Sequence, residues 1–286
     1  MAALELRVTP GAVSRQIRIL EDFVGCSLFV RANREVSLTP TGARYLQQVT
    51  ESFAQLMAAT QQIMAAPEKM PIRVASSITF TLWWLTPRLF GYHSQNPDRD
   101  FQLTTSIAPV DFRRDGLDAV IRLDEDTPHA FAHKLFSADL MAVCSPKLLA
   151  GGKPLRTFED LRHHTLLHSM VRPGNWGRLL AVAGRPNLKG AHRMQFESSS
   201  LAYQAALDGI GIAVAHLPLV IDELKNGRLI APFTIRAHDS GDYYFVWPDN
   251  AARNKGLMRF KDWIINEAEK TVADVDAFVA EWAAKR

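Results

Sequence analysis

One stretch of this chain sets its architecture. Residues 47–66 hold a single charge, Glu51, in a run rich in Gln, Ala and Met, and Pro67 and Pro71 follow it. Thr39-Pro40 precedes it, a threonine that can cap free backbone amides and a proline suited to the first helical position, where no intrahelical donor is lost. The spacing predicts a helix over 41–66, roughly 40 Å long at about 1.5 Å per residue. Along it Leu46, Val49, Phe53, Leu56, Thr60 and Ile63 alternate steps of three and four, which is a heptad seam. A helix with one apolar seam and few charges is unstable alone in water. It must lie against its own domain or against a copy of itself, and the seam favours the copy. With 67–71 as a hinge linker, the chain divides into a small head and a large body.

In the head, residues 1–46 carry six arginines, no lysine and four acids. Thr9-Pro10 starts a helix in the same way as Thr39-Pro40. Val13, Ile17 and Leu20 form its buried face, leaving Ser14, Arg15, Gln16 and Arg18 to project elsewhere. A short helix, a tight turn and a second helix bearing these residues fit a helix-turn-helix. Arg and Gln can make paired hydrogen bonds to base edges while Ser reaches phosphate. Leu28–Arg31 and Val36–Leu38 read as a small hairpin with Arg31 and Arg34 on a wing. An ordinary amphipathic helix with a solvated arginine face fits the same residues.

The body reads as α/β. Ile72–Ala75, Phe101–Ile107 and Ala119–Arg122 are strands, with helices over 80–94 and 110–116. The theme returns with His192–Phe196 as strand, Leu201–Asp208 as helix, Ile210–Ala215 as buried strand and Pro218 opening another helix. Such alternation implies a parallel sheet covered on both faces, here in two halves that enclose a cleft. Ser76-Ser77 and Ser198-Ser199-Ser200 sit at equivalent places, between a strand end and a helix start. Hydroxyls and free amides there suit a carboxylate or other small anion, although serines also serve simply as caps. Thr79, Thr105, Arg122 and His168 are further candidates for lining the cleft, and Arg122 could instead pair with Asp124 or Asp126. Of Trp83 and Trp84, neighbours about 100° apart on a helix, one belongs in the core and the other at the cleft or a dimer face. Val272, Val275, Val279 and Trp282 keep helical spacing in the tail, which packs on the body or on a partner subunit.

Catalytic and metal chemistry find no motif. There is no Gly-x-Ser-x-Gly, no phosphate-binding loop and no cysteine beside a motif-placed base. Gly209-Ile210-Gly211 lacks the third glycine of a dinucleotide loop. His129 and His133, like His164 and His168, are four apart, but no Glu follows the first of either pair, so surface histidines are expected rather than ligands. Cys26 and Cys144 match no ligand spacing and read as small core residues of a protein in a reducing cytoplasm. The longest apolar stretch, Ile210–Ile221, is broken by His216 and Pro218 and falls short of the roughly 20 residues of a spanning helix. The N-terminus has no secretory pattern. A net charge of +3 decides nothing about partners.

Taken together, Val8-Thr9-Pro10-Gly11-Ala12-Val13-Ser14-Arg15-Gln16-Ile17-Arg18-Ile19-Leu20-Glu21, then Leu28-Phe29-Val30-Arg31 and Leu38-Thr39-Pro40-Thr41-Gly42, closely resemble the winged helix-turn-helix of LysR-type transcriptional regulators. Ala205-Ala206-Leu207-Asp208-Gly209-Ile210-Gly211-Ile212-Ala213, followed by Pro218, looks like the same family's effector-domain signature. Val8–Ser14, with Asp118-Ala119-Val120-Ile121-Arg122, is similar to the glycine-cleavage-activator-like subgroup. The resemblance covers residues 1 to 265 and implies a winged helix-turn-helix at 1–40, a dimerisation helix at 41–66 and a linker at 67–71. It further implies a two-lobed, periplasmic-binding-protein-like effector domain at 72–268, with lobe I at 72–142 and 243–268, lobe II at 143–242 and a C-terminal extension at 269–286. Family members carry a further helix ahead of the position of Ala2-Ala3, so the expected head is incomplete at its N-terminus and marginal in burial.

By the same resemblance Thr9, Pro10, Ala12, Ser14, Arg15 and Arg18 face DNA, Arg31 and Arg34 sit at the wing, and Leu46, Val49, Phe53, Leu56 and Ile63 make the dimer seam. The implied effector residues are Ser76, Ser77, Thr79, Thr105, Arg122, His168, Ser198 and Ser199. No catalytic residue, metal or cofactor is implied beyond a small-molecule co-inducer. The implied partners are inverted-repeat promoter DNA, a small anionic metabolite, further copies of the chain as dimer or tetramer, and RNA polymerase. A cytoplasmic sensor that does not bind DNA, a two-lobed solute-binding protein and an enzyme on the same fold are the other readings.

Overall fold

Both Thr-Pro pairs start helices as their chemistry dictates. The computed structural model describes residues 8–32, 35–64, 71–107, 109–124 and 131–284 and divides into two units, Met1–Ala65 and Ala66–Arg286. Arg34, Asp126, His129 and linker positions 67–70 lie outside the described residues.

In the first unit, α1 (Pro10–Val24) begins at Thr9, whose hydroxyl accepts the Ala12 amide at 3.2 Å, and stops at Gly25, whose φ of +73° is open to glycine without strain. β1 (Phe29–Ala32) and β2 (Glu35–Leu38) form an antiparallel hairpin with Phe29 opposite Leu38. Glu21 ties hairpin to helix, its carboxylate accepting the amides of Leu28 at 2.7 Å and Phe29 at 3.0 Å. α2 (Pro40–Met64) then runs for 25 residues from the Thr39 cap, where the Gly42 amide donates to the Thr39 hydroxyl at 2.9 Å. Gly42 has no room for a side chain, since a Cβ there would sit 2.1 Å from the Leu28 carbonyl oxygen. That contact seats the start of α2 against Leu28, which is buried.

The second unit is built on one eight-stranded sheet. In chain order its strands are β3 (Ile72–Ser76), β4 (Phe101–Thr105), β5 (Ala119–Asp124), β6 (Ala132–Val143), β7 (Thr165–Ser169), β8 (His192–Phe196), β9 (Ile212–His216) and β10 (Ala237–Val246). They lie in the order β4-β3-β5-β10-β6-β9-β7-β8. The sheet is mixed, which corrects the parallel sheet expected from strand-helix alternation. β4-β3-β5 and β9-β7-β8 are parallel, but β10 and β6 pair antiparallel with each other and with the flanking strands β5 and β9. The alternation describes each half correctly, whereas β6 and β10 are the long strands by which the chain passes between halves.

The helices are α3 (Ile78–Phe80), which continues through a π-helical turn at Thr81–Leu85 into α4 (Thr86–Gln95), then α5 (Phe112–Asp115), α6 (Asn175–Val182), α7 (Ser199–Leu207), α8 (Leu217–Lys225) and α9 (Lys255–Ala284). Phe80, Trp84, Phe136, Tyr243 and Phe260 fill the core of the first half. Met141, Tyr203, Leu217, Val220 and Ile221 fill one side of the second, and Leu161, Trp176, Leu179 and Ile212 the other. α9, about 45 Å long at 1.5 Å per residue, contributes to both: Leu257, Phe260 and Ile264 enter the first core, while Val275, with Phe278, Val279 and Trp282 partly buried beside it, joins the second. The tail therefore packs on its own unit, although Val272 points outward at 39% exposure.

Candidate functional site

The first site is the exposed face of α1. Thr9, Pro10, Ala12, Ser14, Arg15 and Arg18 are all exposed, and Val13, Ile17 and Leu20 are half-buried on the other side. This is the arrangement the 3.6-residue period requires. Arg31 is placed in β1 and Ile63 in α2. Along α2, Leu46, Phe53 and Leu56 are 51%, 60% and 60% exposed and Val49 is half-buried, so within this unit the seam is left uncovered.

The second site is a cleft of about 690 Å³ in the α/β unit. Two helix starts meet there. Ser77 caps α3, its hydroxyl accepting the Phe80 amide at 3.3 Å, and Ser198 caps α7 by accepting the Leu201 amide at 3.4 Å. The Ser200 amide donates across to the Thr79 hydroxyl at 3.2 Å, and the Trp83 indole donates to the Ser200 hydroxyl at 3.0 Å. Hydroxyls and helix-start amides so converge on one space, the arrangement that stabilises a bound anion.

Of the eight candidate residues, Ser77, Thr79, Thr105, Ser198 and Ser199 line this cleft and Ser76, Arg122 and His168 do not. Side chains alternate along a strand. Ser76, the last residue of β3, points into the core, where it is fully buried and bonded to the Thr81 hydroxyl at 2.8 Å. Arg122 pairs with Asp124, the alternative its neighbours offered. His168 lies on β7 next to Ser169, packed by Trp176 at a ring separation of 6.1 Å. Trp84 is the core tryptophan, while Trp83 is half-buried beside the cleft, bonded to its lining residue Ser200, and faces a neighbouring pocket. His164 is buried, with Nε2 2.9 Å from the Pro154 carbonyl oxygen, and Cys26 is exposed, contrary to a surface and a core placement respectively. Cys144 is fully buried, and burial pushes its thiol up to about 12. Among the described residues no group of three His, Cys, Asp or Glu could hold a metal, and no helix is long and apolar enough to cross a membrane.

Sequence reasoning missed a buried polar chain at the cleft floor. His216 Nε2 is 2.8 Å from Asp239 Oδ2 and Nδ1 is 2.9 Å from the Tyr243 hydroxyl, while the His216 amide donates to the Tyr203 hydroxyl at 3.0 Å. The register of β10 shifts between His238 and Asp242, and such a bulge re-aims a side chain, here Asp239, which is 4% exposed. Burial raises the Asp239 carboxyl, but the His216 hydrogen bond and charge, the Ser240 amide and Arg172 outweigh it and bring it to about 2. Burial lowers His216 despite Asp239. Burial and Arg193 lower His168 to about 4. The signal in the sequence was a histidine closing the otherwise apolar strand Ile212–His216.

Both depressed histidines are neutral in the folded chain and take up protons when it unfolds, near pH 6.5. Their stabilising effect is complete above that pH and is lost as pH falls toward about 4 for His168. The thermal midpoint of the chain is therefore expected to drop between pH 6.5 and 4.5, less so in His168→Gln. A flat midpoint across that range would contradict the neutral histidines.

The comparisons agree with this architecture. The family described as bacterial regulatory helix-turn-helix protein, lysR family, matches residues 1–43, and the LysR substrate binding domain matches residues 65–269. The glycine cleavage system transcriptional activator of Escherichia coli is 36% identical over 268 residues, covering 93% of this chain and 88% of the relative. The activator AmpR of Pseudomonas aeruginosa is 30% identical over 269 residues, covering 93% and 89%. Among solved structures, the AmpR effector domain from Pseudomonas aeruginosa overlays at a TM-score of 0.59 with 28% identity, covering 73% of this chain and 99% of that one. CrgA from Neisseria meningitidis overlays at 0.59 with 24% identity over 93% and 92%, which bears on the fold. A capped, arginine-bearing helix with its hairpin, followed by an α/β unit with a polar cleft, is thus found where two family domains match, and the chain belongs to the LysR family of bacterial transcriptional regulators.

Proposed function

We propose that this regulator reads an inverted-repeat promoter site as a homodimer, or as a tetramer of two dimers, and that a small anionic metabolite in its α/β cleft sets its activity. The observation that carries the reading is the meeting of two serine-capped helix starts across the cleft, joined by the hydrogen bond from the Ser200 amide to Thr79. α1 enters the major groove, with Arg15 toward the base edges and Arg18 toward the backbone, and the wing arginines Arg31 and Arg34 add contacts beside it. Leu46, Val49, Phe53, Leu56 and Ile63 pair with the same seam of a second copy, and the two-fold axis of that pair dictates the two-fold symmetry of the DNA site. Only a ligand that binds one arrangement of the domains better than another can change the DNA spacing. The regulator works in the bacterial cytoplasm, beside RNA polymerase, and needs no other cofactor.

The test is a fluorescence-anisotropy titration of the full chain against DNA from its own promoter region, with hydroxyl-radical footprinting. Affinity is expected to fall by about a hundredfold or more between 50 and 200 mM salt, as phosphate contacts require. The footprint is expected to show two protected half-sites related by a two-fold axis. Binding that ignores salt, or one unpaired protected patch, would overturn the reading.

A further inference from the structure

The cleft also carries buried polar groups that the protein itself leaves unpaired. Ser169 closes β7 and Asn175 opens α6; they are 9% and 5% exposed, and neither the Ser169 hydroxyl nor the Asn175 carboxamide oxygen has a hydrogen-bond partner. Native proteins pair nearly all such groups, because leaving them unpaired is costly. Both line a pocket of about 10 Å³, room for roughly a single oxygen, together with Arg172, Ser199 and Tyr203. Arg172 and Ser199 line the main cleft as well, so the small pocket is its inner end. A guanidinium and two hydroxyls, with a carboxamide that a half-turn presents as N–H₂, form a donor set for one oxygen of a carboxylate.

The cleft floor has the opposite polarity. The Asp239 carboxylate can only accept, so the proton on His216 lies at Nε2, 2.8 Å away. The ring is 2% exposed, which disfavours a second proton, and Nδ1 accepts the Tyr243 hydroxyl hydrogen at 2.9 Å. Around the ring lie Asp239, Tyr203 and Tyr243, with Arg172 and Asp139 acting at longer range and Arg178 3.4 Å from the second oxygen of Asp239. With its hydrogen committed to His216, the Tyr243 oxygen offers only lone pairs to the cleft it lines.

We infer that the cleft takes a small carboxylic acid that also carries an N–H or O–H donor, an amino or hydroxy acid. Its carboxylate lies against Arg172, Ser169 and Asn175, and its donor lies on the Tyr243 oxygen. His216 and Asp239 are positioning residues that hold the tyrosine as an acceptor. This inference rests on the reading of the cleft as an anionic effector site.

Isothermal titration of the full chain with matched acids tests it: L-alanine and L-lactate beside propionate, L-valine beside isovalerate, L-glutamate beside glutarate, and L-phenylalanine beside 3-phenylpropionate. At least one substituted acid is expected to bind about tenfold tighter than its plain partner, and Tyr243→Phe to erase that ratio. Ser169→Ala is expected to weaken both members of the responsive pair about fivefold to tenfold. Because the hydroxyl loses no protein partner, the thermal midpoint should stay unchanged. Equal binding within every pair would overturn the inference and leave the anionic cleft standing. No binding by any acid would remove both. Unchanged affinity or a lowered midpoint in Ser169→Ala would overturn the carboxylate placement even if Tyr243→Phe fails to fold.

Discussion

Trp84→Ala is expected to destabilise the α/β unit by about 3–5 kcal/mol, the range for emptying a buried tryptophan site. Trp84 is fully buried, with Phe80 and Phe136 at ring separations of 5.0 and 5.4 Å. Its indole donates to the Thr271 hydroxyl at 2.9 Å, and that hydroxyl donates in turn to the Glu267 carbonyl oxygen at 2.9 Å. Alanine would leave a cavity and a buried hydroxyl short of a donor, and would cut the tie between the π-helical turn and α9. Against a net stability of about 5–15 kcal/mol, that loss removes a fifth or more. Trp83, half-buried beside the cleft and 5.4 Å from the Tyr203 ring, should cost about 1 kcal/mol on the same change, since less buried area is lost and water replaces its bond to Ser200. Urea denaturation followed by circular dichroism separates the two. Equal losses would mean that the two rings do not differ in burial.

That contrast marks what the sequence could reveal. Adjacent tryptophans on a helix must diverge, so the burial of one and the partial exposure of the other were legible, but not which took which place. That depended on the π-helical turn Thr81–Leu85, for which local composition offers no signal. Helix starts were legible because Thr-Pro is local chemistry, and α1 and α2 begin where it dictates. Ser76 was misplaced, since the start of α3 lies at Ser77 and the preceding strand residue alternates inward. β6 and β10 escaped notice because neither belongs to a strand-helix repeat and their antiparallel partners lie far away in the chain, and the order β10-β6-β9 is what brings Asp239 and Tyr243 to His216. His216 comes from β9 while Asp239 and Tyr243 come from β10, on the far side of β6 in the sheet, so no spacing in the chain announces them. The family resemblance added the order of domains and the residues of the reading helix, which periodicity alone left balanced against an ordinary amphipathic helix.

The reading helix supports the other large effect. Arg15→Ala is expected to weaken specific DNA binding by about 1–3 kcal/mol, a factor of roughly 5 to 150, because an arginine that grips a guanine edge makes two hydrogen bonds no alanine replaces. Arg15 is exposed on α1 in the turn after Thr9-Pro10, and the first turns of a recognition helix are those that meet base edges. Arg18, three residues further along, lies on the adjacent ridge, so its reach is toward the backbone; Arg18→Ala should weaken all sequences alike and reduce the salt slope by about one. Neither change touches the folded unit, since α1 has no fully buried residue and both side chains are solvated. Anisotropy titrations on promoter and scrambled DNA at two salt concentrations distinguish the roles. If Arg15→Ala lowers affinity for both DNAs equally, the arginine contacts phosphate and bases are read elsewhere on α1. If neither variant changes affinity, α1 is not the helix that enters the groove.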